Sequence, residues 1–252
     1  MNTRQQQIKK MLEAAGEVHL QKLKKVFEDV SEMTLRRDLS LLENEGYAIR
    51  THGGAVSTNK VDHHDGQENE YSKRAREEVV AKTEIAAKAL RFIEKGRSIY
   101  LDAGSTVMSM SKLIEGDGCT FVTSAVNTAL KLSATAHSVI QLGGAVNKNT
   151  LSCSGPDALL MMDALNIDVA IMSASGFSLD RGFTISNRYE CLLKQKILKK
   201  AKRIVMLMDS SKIDKDLTFT FASLEDIDYW VCDNAPGTEI EEKCKEFGVE
   251  LV

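Results

Sequence analysis

The chain has 252 residues, of which 43% are hydrophobic and 27% charged. This balance fits a globular protein of one large or two modest domains and excludes a disordered or fibrous one. No segment approaches the roughly 18–20 consecutive apolar residues of a membrane helix, and the polar start MNTRQQQIKK lacks the apolar core of a signal peptide. The five cysteines are widely spaced and indicate free thiols in a reducing compartment. We therefore expect a cytoplasmic protein with no membrane partner.

The formal net charge of -3 is unevenly distributed along the chain. Residues 1–60 carry ten Lys or Arg against eight Asp or Glu, whereas the remainder has a net charge of -5. A basic head on an acidic body is typical of proteins that bind a polyanion through the head. Chance gives the same asymmetry, so this interpretation depends on finding a motif.

The first quarter of the chain predicts three short helices and a β-hairpin. Gly16 and Gly46 end the first and third helices, Ser31 caps the third, and Gly53-Gly54 forms the hairpin turn. The apolar residues at helical spacing are Ile8, Met11, Leu12 and Ala15, then Leu20, Leu23, Val26 and Phe27 from a start near His19, then Leu35, Leu39 and Leu42. This order predicts a winged helix-turn-helix domain over residues 1–57.

The remainder predicts a linker followed by an α/β domain. Residues 58–72 are polar without periodicity, which indicates a linker, and Lys73–Lys95 predicts one long amphipathic helix. Strands are predicted at 99–101, 120–122, 138–142, 168–172, 203–208, 228–231 and 249–252, and helices at 105–115, 125–134, 157–164, 188–201 and 238–247. Strands that alternate with helices indicate a mainly parallel sheet over residues 73–252.

The third helix of the head carries the first group of candidate functional residues. With its leucines turned inward, Thr34, Arg37, Asp38 and Leu41 are expected on the exposed side, with Arg36 at its edge. Arginine can bind guanine or phosphate from a helix in the major groove. The candidate DNA-contacting residues of helix and hairpin are Ser31, Thr34, Arg36, Arg37, Arg50 and His52. The alternative, a solvated arginine pair, does not account for the preceding helix and the basic hairpin.

The pattern from Val30 to Ala55 resembles the DNA-binding signature of the DeoR family of bacterial transcriptional regulators. It reads Val-Ser-x-x-Thr-Leu-Arg-Arg-Asp-Leu from Val30, then Leu42-Glu43-x-x-Gly46, then Arg-Thr-His-Gly-Gly-Ala from Arg50. The resemblance implies operator binding, usually as a repressor, and a C-terminal sensor for phosphorylated sugars or related metabolites. We also expect a homo-oligomer, either a dimer or a tetramer, because a dimer would let two heads read a repeated operator.

Five polar or glycine-rich segments each follow a predicted strand of the second domain. They are 102–106, 123–125, 143–144, 173–176 and 209–212. In a parallel sheet such segments lie at the carboxyl edge, where ligands bind. Glycine allows close approach of the backbone, free N–H groups at a helix start favour an anion, and a lysine supplies a charge for phosphate. The candidate effector-binding residues are Asp102, Gly104, Ser105, Thr106, Thr123, Ser124, Gly143, Gly144 and Lys212.

This half also resembles the DeoR sensor domain, which is similar in fold to ribose-5-phosphate isomerase and glucosamine-6-phosphate deaminase. The matching positions include Leu101-Asp-Ala-Gly-Ser-Thr106, Leu142-Gly-Gly144, Gly155-Pro156 and Asp209-Ser-Ser-Lys212. Two departures concern the effector: Ser124-Ala125 stand where family members commonly have Asn-Ser, and Ser173 stands in place of a glycine.

Other functions are weaker alternatives. A sugar-phosphate isomerase or deaminase would need a carboxylate base, for which Asp102 and Glu190 are the candidates. The run Asp62-His-His-Asp65 offers metal-ligand types without metal-site spacing, and neither a P-loop nor a dinucleotide fingerprint occurs. The sequence thus favours a regulator without cofactor, metal or enzymatic activity.

Overall fold

The computed structural model describes residues 3–15, 17–44, 47–51, 53–57 and 71–252. They belong to two compact units, Met1–His64 and Asp65–Val252, which we describe separately. The described part of the chain contains no helix that is long and apolar enough to span a membrane. Residues 58–70 of the predicted linker, including the possible metal-binding run, lie outside the described residues. Residues 71 and 72, which we assigned to the linker, instead begin a helix.

The N-terminal unit confirms the predicted order of three helices followed by a wing. Its elements are α1 (Thr3–Ala15), β1 (Glu17–His19), α2 (Leu20–Val26), α3 (Glu32–Asn44), β2 (Ala48–Thr51) and β3 (Gly54–Ser57). The predicted leucines of the three helices form one buried cluster with Val18. Strand β1 was not predicted, because three residues are too few to show alternation; it pairs antiparallel with β3, which also pairs with β2.

One expectation for α3 is wrong. We placed Asp38 on the exposed side of the helix, but the structure buries it against α1. Its carboxylate accepts hydrogen bonds from Arg4 Nε at 2.5 Å and Gln5 Nε2 at 2.9 Å. Helix α3 therefore has a wider buried side than its leucines alone indicate, and Asp38 serves packing of the head.

The C-terminal unit is an α/β domain. Its elements are α4 (Tyr71–Arg74), α5 (Val79–Ala89), β4 (Ser98–Leu101), α6 (Ser105–Ser111), β5 (Asp117–Thr123), α7 (Val126–Leu132), β6 (Ala136–Gln141), β7 (Ala145–Asn147), β8 (Ser152–Ser154), α8 (Pro156–Asp163), β9 (Ile167–Ser173), β10 (Gly176–Ser178), β11 (Gly182–Ile185), α9 (Arg188–Lys200), β12 (Ala201–Leu207), β13 (Phe219–Ala222), β14 (Tyr229–Val231), α10 (Thr238–Phe247) and β15 (Glu250–Leu251). Short 3-10 helices lie at Leu90–Phe92, Ser210–Lys212 and Leu224–Asp226.

The seven predicted strands are the seven strands of one parallel sheet. Their order is β15-β14-β12-β9-β4-β5-β6, and every neighbouring pair is parallel. One face carries Tyr100, Met172 and Trp230 in its core, and the opposite face carries Ile99, Phe121 and Val205. The chain runs outward from β4 to β6 and then outward in the other direction from β9. The switch point between β4 and β9 is where an open α/β sheet forms a ligand crevice.

The single helix predicted for 73–95 is wrong. Helix α4 ends at Arg74, α5 begins at Val79, and between them Glu78 adopts a left-handed conformation with φ 49°. The Lys82 ammonium donates to the Arg74 and Glu77 carbonyl oxygens, each at 2.5 Å. A side chain thus satisfies carbonyl groups that a continuous helix would pair internally, which allows the chain to turn here.

Short strands in two smaller sheets were also not predicted. β7 and β8 form an antiparallel hairpin, and β11 pairs antiparallel with both β10 and β13. The second of these sheets covers part of the core: Phe177 lies 4.8 Å and Phe183 5.3 Å from Trp230 between ring centroids. All five cysteines are free and buried, and all lie in this unit.

Asp168, at the amino end of β9, gives a test of stability against pH. Lys202 at 2.8 Å, followed by the Ser98 backbone N–H at 3.1 Å, lowers the pKa of Asp168 to about 2. A lowered pKa means that this carboxylate stabilises the fold above its unfolded pKa, near 4, and that the stabilisation disappears as pH falls through about 2.

We expect Asp168→Asn to lower the free energy of unfolding by less than about 1 kcal/mol near neutral pH, because Lys202 is exposed and solvent screens the pair. The difference from wild type should shrink as the pH falls from about 4 to about 2. Urea unfolding at a series of pH values measures it. A difference that grows as the solution is acidified would contradict the sign.

Candidate DNA-binding surface and ligand pocket

The start of α3 is fixed by a serine and a threonine. The Thr34 backbone N–H donates to Ser31 Oγ at 3.2 Å, and the two side-chain hydroxyls lie 2.9 Å apart. Arg36 and Arg37 follow on the exposed side, where the Arg36 guanidinium donates to Glu32 Oε1 at 2.8 Å. The helix therefore presents two adjacent guanidinium groups to solvent, one of them held by an exposed ion pair.

The wing is tied to α3 through Arg50. The Arg50 backbone N–H donates to Glu43 Oε1 at 2.9 Å, and its Nη1 donates to Ser40 Oγ at 2.8 Å. Ser40 in turn donates to the Arg36 carbonyl oxygen at 3.0 Å. Because these bonds link Arg50 to the helix that carries Arg36 and Arg37, the structure brings three of the predicted cations together. His52 lies outside the described residues.

A polar pocket lies at the carboxyl edge of the large sheet, at the β4–β9 switch point. Four of the predicted residues line it, namely Gly104, Ser105, Thr106 and Lys212, together with Arg74, Lys82, Ser173, Lys194 and Asp209. Gly104 is required there by space, because a Cβ atom on it would lie 2.4 Å from Ser173 Oγ. The pocket is therefore built from strand ends that the chain sequence separates by more than one hundred residues.

A buried ion pair forms one wall of this pocket. Lys194 Nζ bonds Asp102 Oδ2 and donates to the Ser173 carbonyl oxygen at 2.8 Å. The Ser173 backbone N–H and hydroxyl both donate to the same Asp102 oxygen at 2.9 Å. Both charged side chains are 3% exposed. Asp102 is thus held inside the protein through its Oδ2 atom, by Ser173 and Lys194, both of which line the pocket.

Three further cations face the pocket. Arg74 and Lys82 are buried, and Lys212 lies in the 3-10 helix after Asp209. Burial lowers the pKa of Lys82, an effect that nearby Asp209 opposes and Lys212 reinforces. Asp233, after β14, fixes the turn that carries Lys212: Ser210 donates its backbone N–H at 2.7 Å and its hydroxyl at 3.1 Å to the Asp233 carboxylate.

The remaining predicted effector residues do not line this pocket. The Thr123 hydroxyl donates to the Leu101 carbonyl at 2.6 Å, and the Ser124 hydroxyl lies 3.0 Å from Tyr100 Oη. Gly144 has φ 115° and packs against the backbone of β8, and Gly143 likewise does not line it. These residues lie at or just beyond the ends of β5, which neighbours β4, and of the edge strand β6.

Three charged residues of the pocket were not predicted as site residues: Arg74, Lys82 and Lys194. Each stands in a predicted helix, and charged residues on a helix are ordinarily solvated. One signal was present: Lys82 precedes Ile85 and Ala89, and Lys194 stands between Cys191 and Ile197, at spacings that place each lysine in a buried stripe. A lysine in such a stripe needs an internal partner, so the pattern indicates a buried charge.

A winged helix-turn-helix unit joined to an α/β unit with a cationic pocket at its switch point has the organisation of a ligand-responsive transcriptional regulator. Residues 4–61 match the family model of the DeoR-like helix-turn-helix domain, and residues 77–234 match that of the DeoR C terminal sensor domain. The chain belongs to the DeoR family of transcriptional regulators.

Curated relatives are similar over most of their length. The chain is 30% identical to the HTH-type transcriptional regulator GolR of Listeria innocua, covering 98% of this chain and 96% of the relative. It is also 30% identical to the transcriptional repressor GlcR of Bacillus subtilis, covering 88% and 85%, and to the L-fucose operon activator of Haemophilus influenzae, covering 89% of each. The names of these relatives describe regulators, and they include both a repressor and an activator.

Solved structures overlap with part of the chain. A D-ribose-5-phosphate isomerase in complex with phospho-erythronic acid is 20% identical, covers 52% of each chain and has a TM-score of 0.39. The eIF2B delta subunit of Chaetomium thermophilum is 10% identical, covers 63% of this chain and 58% of its own, and has a TM-score of 0.43. Similarity at this level identifies neither a shared activity nor a shared ligand.

Proposed function

We propose that this regulator represses genes of sugar metabolism and leaves its operator when a phosphorylated sugar fills the pocket at the β4–β9 switch point. The observation that carries the proposal is the set of cations at that edge. Arg74, Lys82, Lys194 and Lys212 face the pocket, whereas Asp209 and the Asp102 behind Lys194 are the carboxylates beside them. Two positive charges remain, which match a phosphate monoester of about -1.5 to -2.

Different pocket residues supply positive charge and hydrogen bonds to the phosphate. The Lys194 charge is already neutralised by Asp102, so Arg74, Lys82 and Lys212 are the groups that hold the phosphate. The hydroxyls of Ser105 and Thr106, which begin α6, supply hydrogen bonds to its oxygens. The other predicted residues shape the neighbouring strand ends and do not bind the phosphate; they are Thr123, Ser124, Gly143 and Gly144.

The head binds operator DNA through α3 and the wing. Ser31 and Thr34 fix the start of the helix. Arg36 and Arg37 contact bases and phosphates, and Arg50 is held where it can reach the phosphate backbone of the DNA. His52 keeps its sequence-based assignment to the wing. We place the protein in the cytoplasm as a homo-oligomer, a dimer or a tetramer, that presents two heads to a repeated operator. The ligand releases the operator if it binds the two states of the C-terminal unit with unequal affinity.

The carboxylates that an isomerase or deaminase would use do not line the pocket, and one oxygen of each is bonded inside the protein. Asp102 accepts bonds from Lys194 and Ser173, and Glu190 accepts hydroxyl hydrogen bonds from Thr150 and Ser152 at 2.5 Å each. A general base needs a free lone pair within reach of the substrate proton. We therefore propose that the protein binds its sugar phosphate without converting it.

The experiment that tests the function is a gel-shift titration of the full chain on its operator, with and without members of a panel of sugar phosphates. Thermal-shift screening chooses the panel, because a ligand of the folded state raises its apparent stability. Release of DNA without turnover of ribose 5-phosphate or glucosamine 6-phosphate supports the proposal. Turnover that Asp102→Ala abolishes would favour the enzyme.

Lys212→Met removes one phosphate-binding charge and keeps the aliphatic stem. We expect the variant to bind operator normally but to lose about 1.5–3 kcal/mol of its interaction with a phosphorylated sugar, the range for hydrogen bonds to charged groups. Calorimetry with the phosphorylated and unphosphorylated sugar measures the loss.

Lys215→Met, three residues further on at an exposed position, is the matched control for Lys212→Met and should behave as wild type. An undiminished preference of Lys212→Met for the phosphorylated sugar would remove Lys212 from the site.

A further inference from the structure

Two groups of helix α4 donate to the same backbone carbonyl oxygen of a neighbouring turn. The Tyr71 backbone N–H donates to the Asn149 carbonyl oxygen at 2.6 Å, and the Arg74 guanidinium donates to the same oxygen at 3.3 Å. Asn149 lies in the turn between β7 and β8. The position of Arg74 in the pocket therefore depends on where this turn lies.

The turn is fixed in its place by Glu190, in the first turn of α9. Glu190 Oε1 accepts hydrogen bonds from the Thr150 and Ser152 hydroxyls, at 2.5 Å each, and from Asn147 Nδ2 at 3.3 Å. Glu190, Thr150 and Ser152 are all buried. Donors from both sides of the turn thus bond to one carboxylate oxygen. Hydrogen bonds to a carboxylate are among the strongest that side chains make.

The turn has a conformation that needs such support. Leu151 has φ 54°, in the left-handed region that a branched apolar side chain rarely adopts. Backbone of this kind persists where surrounding contacts determine it. Glu190 itself is oriented by Asn187, whose side-chain oxygen accepts its backbone N–H at 3.1 Å. An ordered path thus runs from α9 through the turn to α4.

We propose that Glu190 is a positioning residue of the effector pocket: by holding the turn at 147–151 it places the Asn149 carbonyl, and through it α4 and Arg74. Glu190 does not line the pocket, so it acts on the ligand only through this path. The inference rests on the proposed function in one respect, namely that Arg74 holds the phosphate.

Hydrogen–deuterium exchange of the full chain tests the path without any ligand. In Glu190→Gln, which keeps the shape and removes the charge, we expect the backbone amides of Tyr71 and Ala75 to exchange at least about tenfold faster. The Tyr71 amide donates to the Asn149 carbonyl, whose turn loses its support, and the Ala75 amide donates to the Tyr71 carbonyl. Asp168→Asn is the matched control: it makes the same change to a carboxylate that also accepts serine donors, at the opposite end of the strands. It should leave exchange in α4 unchanged.

Thr150→Val is the second variant, for the case in which Glu190→Gln does not fold. It removes one of the donors to Glu190 and should speed exchange in α4 by a smaller factor. Unchanged α4 exchange in the folded Glu190 variant, or in Thr150→Val when the former does not fold, overturns the proposal. Equal acceleration in Asp168→Asn also overturns it, because the effect would then be general destabilisation.

Binding of inorganic phosphate, measured by calorimetry, separates this inference from the proposed function. We expect Glu190→Gln to weaken phosphate binding several-fold in the wild-type background and to have no further effect in an Arg74→Met background. Both changes remove the same contribution, the bond from the Arg74 guanidinium to phosphate. Equal losses in both backgrounds would overturn positioning through Arg74. If wild type binds no phosphate while α4 exchange still responds to Glu190, the proposed function fails and the placement of Arg74 by Glu190 stands.

Discussion

Lys194→Met is expected to lower the free energy of unfolding of the C-terminal unit by about 3–5 kcal/mol, because it leaves the Asp102 carboxylate buried without its cation. Lys194 and Asp102 are each 3% exposed, so water cannot replace the lost partner. Methionine retains most of the volume of lysine, which limits the part of the effect that comes from a cavity. Trp230, the one tryptophan of the chain, is buried in this unit and reports its urea unfolding by fluorescence.

Two comparisons test whether the loss of stability comes from the buried ion pair. Lys196→Met, two residues along the same helix, removes a cation that pairs with the exposed Asp163 and should cost less than about 1 kcal/mol. The double variant Asp102→Asn with Lys194→Met should be more stable than the sum of its single changes implies, since no unpaired charge remains. Equal costs for the Lys194 and Lys196 changes would show that the buried pair has no special role.

Replacing Arg36 and Arg37 together with alanine is expected to weaken operator binding by roughly 2–5 kcal/mol, from the usual strength of arginine contacts to bases and phosphates. The two guanidinium groups lie exposed near the start of α3, outside the leucine cluster, so the head should stay folded. Fluorescence anisotropy with a labelled operator measures the loss. Salt must be held constant, because affinity for DNA falls steeply as salt rises.

The matched control removes two exposed arginines from the other unit. Arg91→Ala with Arg97→Ala makes the same change in net charge, and both side chains are about half exposed. Its operator affinity should be close to wild type. His52→Ala should also have a small effect, because an imidazole is largely neutral near pH 7. A folded Arg36/Arg37 variant with wild-type affinity would show that another surface reads the operator.

The sheet could be predicted because its central strands are buried on both faces. Strands such as β9 and β12 consist largely of consecutive apolar residues between helical segments, a pattern that is legible without tertiary information. Strands β7, β8 and β10 have only three residues each and carry serine, glycine or asparagine. Their pairing partners, rather than their own composition, make them strands.

The pocket was predictable only in part, for a related reason. Gly104 and Lys212 directly follow strands, so topology alone places them at the carboxyl edge. Arg74 reaches the same edge because Glu78 turns the chain back, and Lys82 because it satisfies carbonyl groups at that turn. Asp38 in the head shows the same limitation: its partner Arg4 is 34 positions away. Pairings over such separations have no local signature.

The distribution of thiols provides a selective chemical reporter. All five cysteines lie in the C-terminal unit and are buried there, while residues 1–64 contain none. Burial raises the pKa of Cys232 to about 12 and that of Cys244 to about 11, so neither forms the reactive thiolate near neutral pH while the unit stays closed. Alkylation of the natural cysteines therefore reports opening of the C-terminal unit alone. A single cysteine introduced at an exposed position of the head would be alkylated first, which allows the head to be labelled selectively.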